Sequence, residues 1–163
     1  MSDSLEFEVA ALGDALRARG WMLATAESCT GGLIAAACTA VAGSSDWFER
    51  GIVSYSNAAK VELLGVPAAL IAAHGAVSAE VARAMAEGAL TRSKAQLAVA
   101  VTGIAGPGGA TPGKPVGTVW LALARRGAPA RSELLQLGGD RTAVREQTVR
   151  HALARLRQWA DEP

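Results

Sequence analysis

Leu97-Ala98-Val99-Ala100-Val101 is a continuous apolar run, and Thr102 to Pro115 (TGIAGPGGATPGKP) follows it. Five apolar residues without polar alternation are the pattern of a strand covered on both faces. The segment after it holds too much Gly and Pro for regular structure and reads as a loop. Upstream, Trp21 to Ala26 reads as a strand, followed by Glu27-Ser28-Cys29-Thr30-Gly31-Gly32 and an alanine-rich helix to about Val41. Strand, small polar turn, Gly-Gly and helix form a layout that points backbone N–H groups at an anion.

The rest of the chain fills in around these two strands. Leu5, Val9, Leu12 and Leu16 fall at helical spacing between Ser4 and Arg19, and Gly20 ends that helix. Gly43-Ser44-Ser45-Asp46 is a second polar turn, leading into a short helical piece, Trp47 to Arg50, and a strand, Ile52 to Ser56. Asn57 to Leu64 and Pro67 to Ala73 read as short helices, and Ser78 caps a longer one to about Arg92. Gly117 to Ala124 and Ala130 to Leu137 form an antiparallel hairpin through Arg125-Arg126-Gly127. Asp140 caps a final helix to about Trp159. The expectation is one α/β domain over residues 1–163: a three-layer α/β/α sandwich with a mixed, mostly parallel sheet and a C-terminal hairpin.

Composition narrows the function classes. Half of the 163 residues are hydrophobic, enough for one adequate core. Sixteen Lys and Arg against 15 Asp and Glu give a net charge of +1, without the basic footprint of a general nucleic-acid binder. Met1 to Val9 carries Asp3, Glu6 and Glu8 where a secretory leader needs basic residues. The most apolar stretch, Leu33 to Ala42, is about half the length of a membrane span. Two cysteines, Cys29 and Cys38, make no disulfide framework. A cytoplasmic protein is expected, with neither nucleic acid nor membrane as partner.

Several familiar motifs fail their context tests. Gly108 to Pro115 nearly matches a phosphate-binding P-loop, but Pro115 stands where the metal-binding hydroxyl belongs and a strand follows. His74 and His151 are far apart, with no zinc spacing. Hydroxyls and one lysine remain: Ser28, Thr30, Ser44, Ser45, Tyr55, Ser56 and Thr102 crowd the polar turns, and Lys60 follows Tyr55. Burial lowers a lysine pKa, so Lys60 can act as the base that a serine nucleophile needs. An ordinary structural reading competes: Ser28, Ser44 and Ser45 cap helices, and Lys60 is solvated.

Seven segments occur in order: Ala26 to Gly32, Ala42 to Phe48, Tyr55 to Lys60, His74 to Ser78, Thr102 to Gly109, Lys114 to Val119 and Gly139-Asp140-Arg141. Together they closely resemble the C-terminal domain family of the competence/damage-inducible protein CinA, from about Ala24 to Arg150. The stand-alone members are nicotinamide-nucleotide amidohydrolases, and longer members carry an additional N-terminal domain. The resemblance implies hydrolysis of the carboxamide of nicotinamide mononucleotide in pyridine-nucleotide recycling. It implies a homo-oligomer (a dimer or higher) and a serine enzyme with no metal and no cofactor.

On that footing Ser45 is the expected nucleophile, Lys60 the base and Tyr55 the relay or orienter, with Ser28 as rival nucleophile. Thr102 and Gly103, with Thr30 and Gly31, are expected at the oxyanion and carboxamide. Gly32, Ser44, Gly106, Gly108 and Arg141 are expected to help hold the nucleotide. Two other classes stay open at this point: a non-catalytic nucleotide-binding module on the same loops, and a cysteine amidase using Cys29.

Overall fold

The computed structural model describes residues 2–163. A five-stranded sheet runs in the order β2-β1-β3-β4-β5, formed by β1 (Leu23–Glu27), β2 (Phe48–Val53), β3 (Leu97–Gly103), β4 (Thr118–Arg125) and β5 (Arg131–Gln136). β1 pairs in parallel with both β2 and β3, and the β4–β5 hairpin adds antiparallel to β3. The strand therefore reverses only at β4, as expected of a mixed, mostly parallel sheet.

The two faces of the sheet carry side chains of different size. Leu23, Leu97, Val99, Val101, Val119, Leu121 and Leu123 face one core, with α1 (Asp3–Arg19), α2 (Leu33–Thr39) and α6 (Arg141–Asp161) packed over them. Ala24, Ala26, Ala98, Ala100, Ala122 and Ala124 face the other core. Over that alanine face lie α3 (Asn57–Leu64), α4 (Ala68–His74) and α5 (Ala79–Thr91). Alternation of side chains across a strand sorts the sequence LAVAV in this way.

The expected caps are present. Ser78 accepts from the Val81 N–H and Asp140 from the Ala143 N–H, each taking an otherwise orphaned helix donor. One element departs from expectation. Trp47 to Arg50 is not helical: a single tight turn, Ser44–Asp46, leads straight into β2 at Phe48. β2 is an edge strand, paired only with β1, so its polar Glu49 and Arg50 sit at the sheet's rim.

The winding of the chain makes β1 a switch point. From β1 the chain crosses through α2 to β2 on one side, then through α3, α4 and α5 over the opposite face to β3 on the other side. Ligands in open α/β sheets bind outside the carboxyl ends of the strands at such a point.

Close approach between α5 and α3 depends on Gly88. A Cβ there would lie 2.0 Å from the Leu64 carbonyl oxygen, which is backbone and has no side-chain freedom to retreat. Gly88→Ala should therefore cost about 1–3 kcal/mol despite the better helix propensity of alanine. Thermal unfolding should show a Tm lower by roughly 2–10 °C; an unchanged or raised Tm would mean that the helices separate freely.

Candidate active site

β1 ends at Glu27, and the next residue, Ser28, opens a tight turn through Gly31 and Gly32, both at positive φ (59° and 113°). The buried Glu27 carboxylate accepts from Thr30 Oγ1 (2.6 Å), Ile34 N (2.8 Å) and Ala35 N (3.0 Å). It thus occupies the N-terminus of α2, where a negative charge is favoured by the helix dipole. The layout read from sequence as an anion site is satisfied from within: Thr30, Gly31 and Gly32 build the turn, and those two helix N–H groups are already taken. Glu27, read from the sequence only as part of the Ala26 to Gly32 segment, holds the turn and the start of α2 and does not line the cavity.

Lys60 sits in the first turn of α3, whose Ser56 cap accepts from the Ala59 N–H. Its side chain is 1% exposed. Nζ lies 3.0 Å from Ser28 Oγ, 3.1 Å from the Ser54 carbonyl oxygen and 3.0 Å from that of Tyr55. As an ammonium it donates to all three. Burial holds its pKa below the ordinary lysine value. Once deprotonated, the amine keeps two N–H bonds, which the two carbonyls take, and its lone pair is left facing Ser28. The Ser28 O–H then donates to Nζ, and a serine–amine pair is assembled.

Above this pair is a cavity of about 230 Å³. It is lined by Ser28, Tyr55, Lys60, Thr102, Gly103 and Arg141 from the sequence-derived set, and by Cys29, Asn57, Ala76, Val77 and Ala105 in addition. All five lie inside the seven segments; Cys29 was weighed there as a rival nucleophile, while Ala76, Val77 and Ala105 are small apolar residues that give no chemical signal. Thr102 Oγ1 donates to the Ala76 carbonyl (2.9 Å) and ties two walls together. Tyr55 contributes its backbone carbonyl to Lys60, while its exposed phenol accepts from Arg141 (3.4 Å). Arg141 also donates to the Gly106 carbonyl (2.9 Å), whereas Gly108 is exposed and does not line the cavity.

Backbone donors converge near Ser28. The Ser28 N–H donates to the Val101 carbonyl, so Val101 faces β1, and the two-residue period turns Gly103 the same way. β1 has already ended, so the Gly103 N–H meets no strand partner among the described residues, and the Cys29 N–H finds no backbone acceptor among them, meeting only its own thiol.

Ser44 and Ser45 are not brought to this site. The six residues of β2 separate them from Ser54 and Tyr55, a span of roughly 20 Å. Ser45 is exposed at the opposite end of the strand from Lys60, so the expectation that a short helical link brings the two turns together is corrected. Their turn has a structural anchor instead: Arg17 donates to Asp46 Oδ2 (3.1 Å) and to the Gly43 carbonyl (3.0 Å). Cys29 lines the cavity, but burial pushes its thiol up to about 11, far from the thiolate that a cysteine nucleophile requires. His74 lies 3.7 Å from Glu80, away from the pair. Among the described residues, no group of three or more His, Cys, Asp or Glu is placed to hold a metal ion.

Comparison with known proteins gives the family and the fold. The family model described as CinA C-terminal domain matches residues 6–160. The chain is 60% identical over 144 residues to a CinA-like protein of Citrifermentans bemidjiense, covering 88% of this chain and 34% of that one. It thus spans about a third of the length of such relatives. It is 56% identical over 151 residues to the nicotinamide-nucleotide amidohydrolase PncC of Pseudomonas putida, covering 93% and 94% of the two chains. The crystal structure of the competence/damage inducible protein CihA from Agrobacterium tumefaciens superposes with a TM-score of 0.95 at 45% identity, covering 99% and 98%.

The buried lysine also makes a pH prediction. A folded-state pKa below the unfolded value means that the folded chain holds fewer protons in the window beneath the ordinary lysine pKa of about 10.4. Stability from this group therefore rises with pH across that window. Urea unfolding of wild type and Lys60→Met at pH 7 and pH 10 should show the difference moving in favour of wild type at the higher pH. A difference that does not change with pH would place the Lys60 amine in a solvated setting.

Proposed function

This chain belongs to the CinA C-terminal domain family, and on that premise we propose that it hydrolyses the carboxamide of nicotinamide mononucleotide, with Ser28 as nucleophile and Lys60 as base. The products are nicotinic acid mononucleotide and ammonia. The observation that carries the reading is the 3.0 Å contact between Lys60 Nζ and Ser28 Oγ at the floor of a polar cavity. The likeness over nearly the full length to nicotinamide-nucleotide amidohydrolases supports the choice of substrate.

The chemistry follows from the pair. Lys60 takes the Ser28 proton as Oγ attacks the carboxamide carbon, and negative charge gathers on the carboxamide oxygen. The N–H groups of Cys29 and Gly103 supply fixed donors for that oxygen. Lys60, now an ammonium, returns a proton to the departing nitrogen, the C–N bond breaks and ammonia leaves. Water then attacks the acyl-serine, giving its proton to Lys60. As the ester C–O bond breaks, that proton returns to Ser28, and the carboxylic acid formed loses its remaining proton to solvent and leaves as the carboxylate. Arg141 makes no ion pair with any carboxylate among the described residues, and it stands at the cavity's rim as a partner for the substrate phosphate.

This reading replaces Ser45 by its rival and, of the two roles expected for Tyr55, keeps that of orienter, holding Lys60 and Arg141, over that of proton relay. It also carries a cytoplasmic location and self-association into a dimer or larger assembly, which sedimentation would measure. No helix of the described residues is long and apolar enough to cross a membrane.

Ammonia release from the mononucleotide tests the proposal and separates an enzyme from a non-catalytic nucleotide-binding module. Ser28→Ala should lose at least about 1,000-fold in kcat, and Lys60→Arg, which keeps the charge but not a removable proton, a similar amount. Ser45→Ala should stay within about 2-fold of wild type, as a surface substitution outside the cavity. The kcat/KM of wild type should rise with pH along a single limb whose midpoint lies below the ordinary lysine value. Full ammonia release by folded Ser28→Ala would end the assignment.

A further inference from the structure

We propose that Arg145 is a positioning residue for the reaction, holding the peptide groups beside Ser28 in the orientation that receives the oxyanion. The inference rests on the Ser28–Lys60 reading above and concerns a residue outside the cavity lining.

Arg145 stands on the second turn of α6, half-buried. Its Nε donates to the Cys29 carbonyl (3.1 Å) and one terminal nitrogen donates to the Thr30 carbonyl (3.3 Å). These bonds link residues 116 and 115 positions apart, so they tie the last helix to the turn after the first strand. Arg17, Arg50, Arg131, Arg155 and Arg157 each meet a carboxylate, but Arg145 meets none among the described residues. Its charge is spent on two consecutive carbonyls of one turn.

That arrangement has a directional effect. A peptide unit is planar, with its C=O and N–H pointing opposite ways. The Thr30 carbonyl shares its peptide plane with the Gly31 N–H, which donates to the Ser28 carbonyl (3.1 Å), and that carbonyl shares its plane with the Cys29 N–H, so the hold on Thr30 reaches the plane that follows the nucleophile through one hydrogen bond. Gly31 serves the turn through its positive φ of 59°, and an added Cβ would meet the guanidinium only at an ordinary contact distance of 3.6 Å. From the inner side Glu27 holds Thr30 and α2. The turn is therefore clamped between a carboxylate below and a guanidinium outside. The cation also has the right sign to favour negative charge nearby: its field opposes burial at the Cys29 thiol, lowering what burial raises. A fork of two donors does this better than a point charge, because it fixes angle as well as distance.

The test is steady-state kinetics on nicotinamide mononucleotide, with Tm measured in parallel. Arg145→Met should lose about 100-fold in kcat, the scale of a small misplacement of catalytic groups, with KM within about 3-fold of wild type. Arg145→Lys, which keeps charge without the fork, should fall between the two, about 10-fold down. A kcat of Arg145→Met within about 3-fold of wild type, or a loss appearing in KM instead, overturns the inference. Should Arg145→Met fail to fold, Arg145→Lys decides: a 10-fold fall in kcat at unchanged KM supports it and a wild-type kcat overturns it. Ser28→Ala and Lys60→Arg are assayed alongside. If they stay active the serine–lysine reading itself fails; if they are inactive while Arg145→Met is active, only this inference fails.

Discussion

A buried amine must find acceptors, and much of this molecule is arranged to give Lys60 two of them. The Ser54 and Tyr55 carbonyls lie where β2 has ended and α3 has not begun, so neither is committed to a ladder or a helix. Had the strand run two residues further, the Ser54 oxygen would face β1 and the Tyr55 oxygen the open edge, and the two would point apart. The Ser56 cap starts α3 at the point that sends Lys60 back over them. The third acceptor, Ser28, arrives from the adjacent strand end because β1 and β2 are parallel and in register at Glu27 and Val53. Strand length, cap position and sheet direction thus set the distance between the two side chains.

The uneven faces of the sheet serve the same end. An alanine face lets α5 lie close to β1, β3 and β4, with Gly88 bringing it against the end of α3. α3 is the helix that carries Lys60, so the position of the base is fixed by backbone contact on its far side. The larger Leu and Val face supports α6, which delivers Arg141 and Arg145 to the same strand ends. Both layers of helices therefore meet at the carboxyl end of β1.

Much of this was legible from residue pattern. LAVAV announced a strand buried on both faces, and the capping residues Ser78 and Asp140 placed two helix starts. The bounds of α3 followed from Asn57 and Gly65, and the hairpin from Arg125-Arg126-Gly127. β2 was misread because Phe48 to Gly51 lacks both alternation and a continuous apolar run: an edge strand has one flank in solvent and tolerates Glu49, Arg50 and Gly51. That single misreading carried Ser45 to the wrong end of the sheet. Lys60 was found because it follows closely on the Tyr55-Ser56-Asn57 turn, but the choice between two serines depends on three-dimensional register that local pattern does not encode. The bonds of Glu27 and Arg145 escape local pattern for the same reason, since most of their partners are backbone groups with no sequence signature.

The cavity's only sulfur has a consequence for the conditions this protein tolerates. Peroxide and electrophilic oxidants attack the thiolate, and Cys29, with burial holding its pKa at about 11, is almost wholly protonated at neutral pH. Cys38, pushed to about 12, is more so. Neither enters the oxidation sequence from sulfenic to sulfonic acid at an appreciable rate. On the proposed serine–lysine reading no redox-active group lies in the reaction path, and turnover would be uncoupled from oxidative stress, the condition under which a thiol-dependent counterpart would stall.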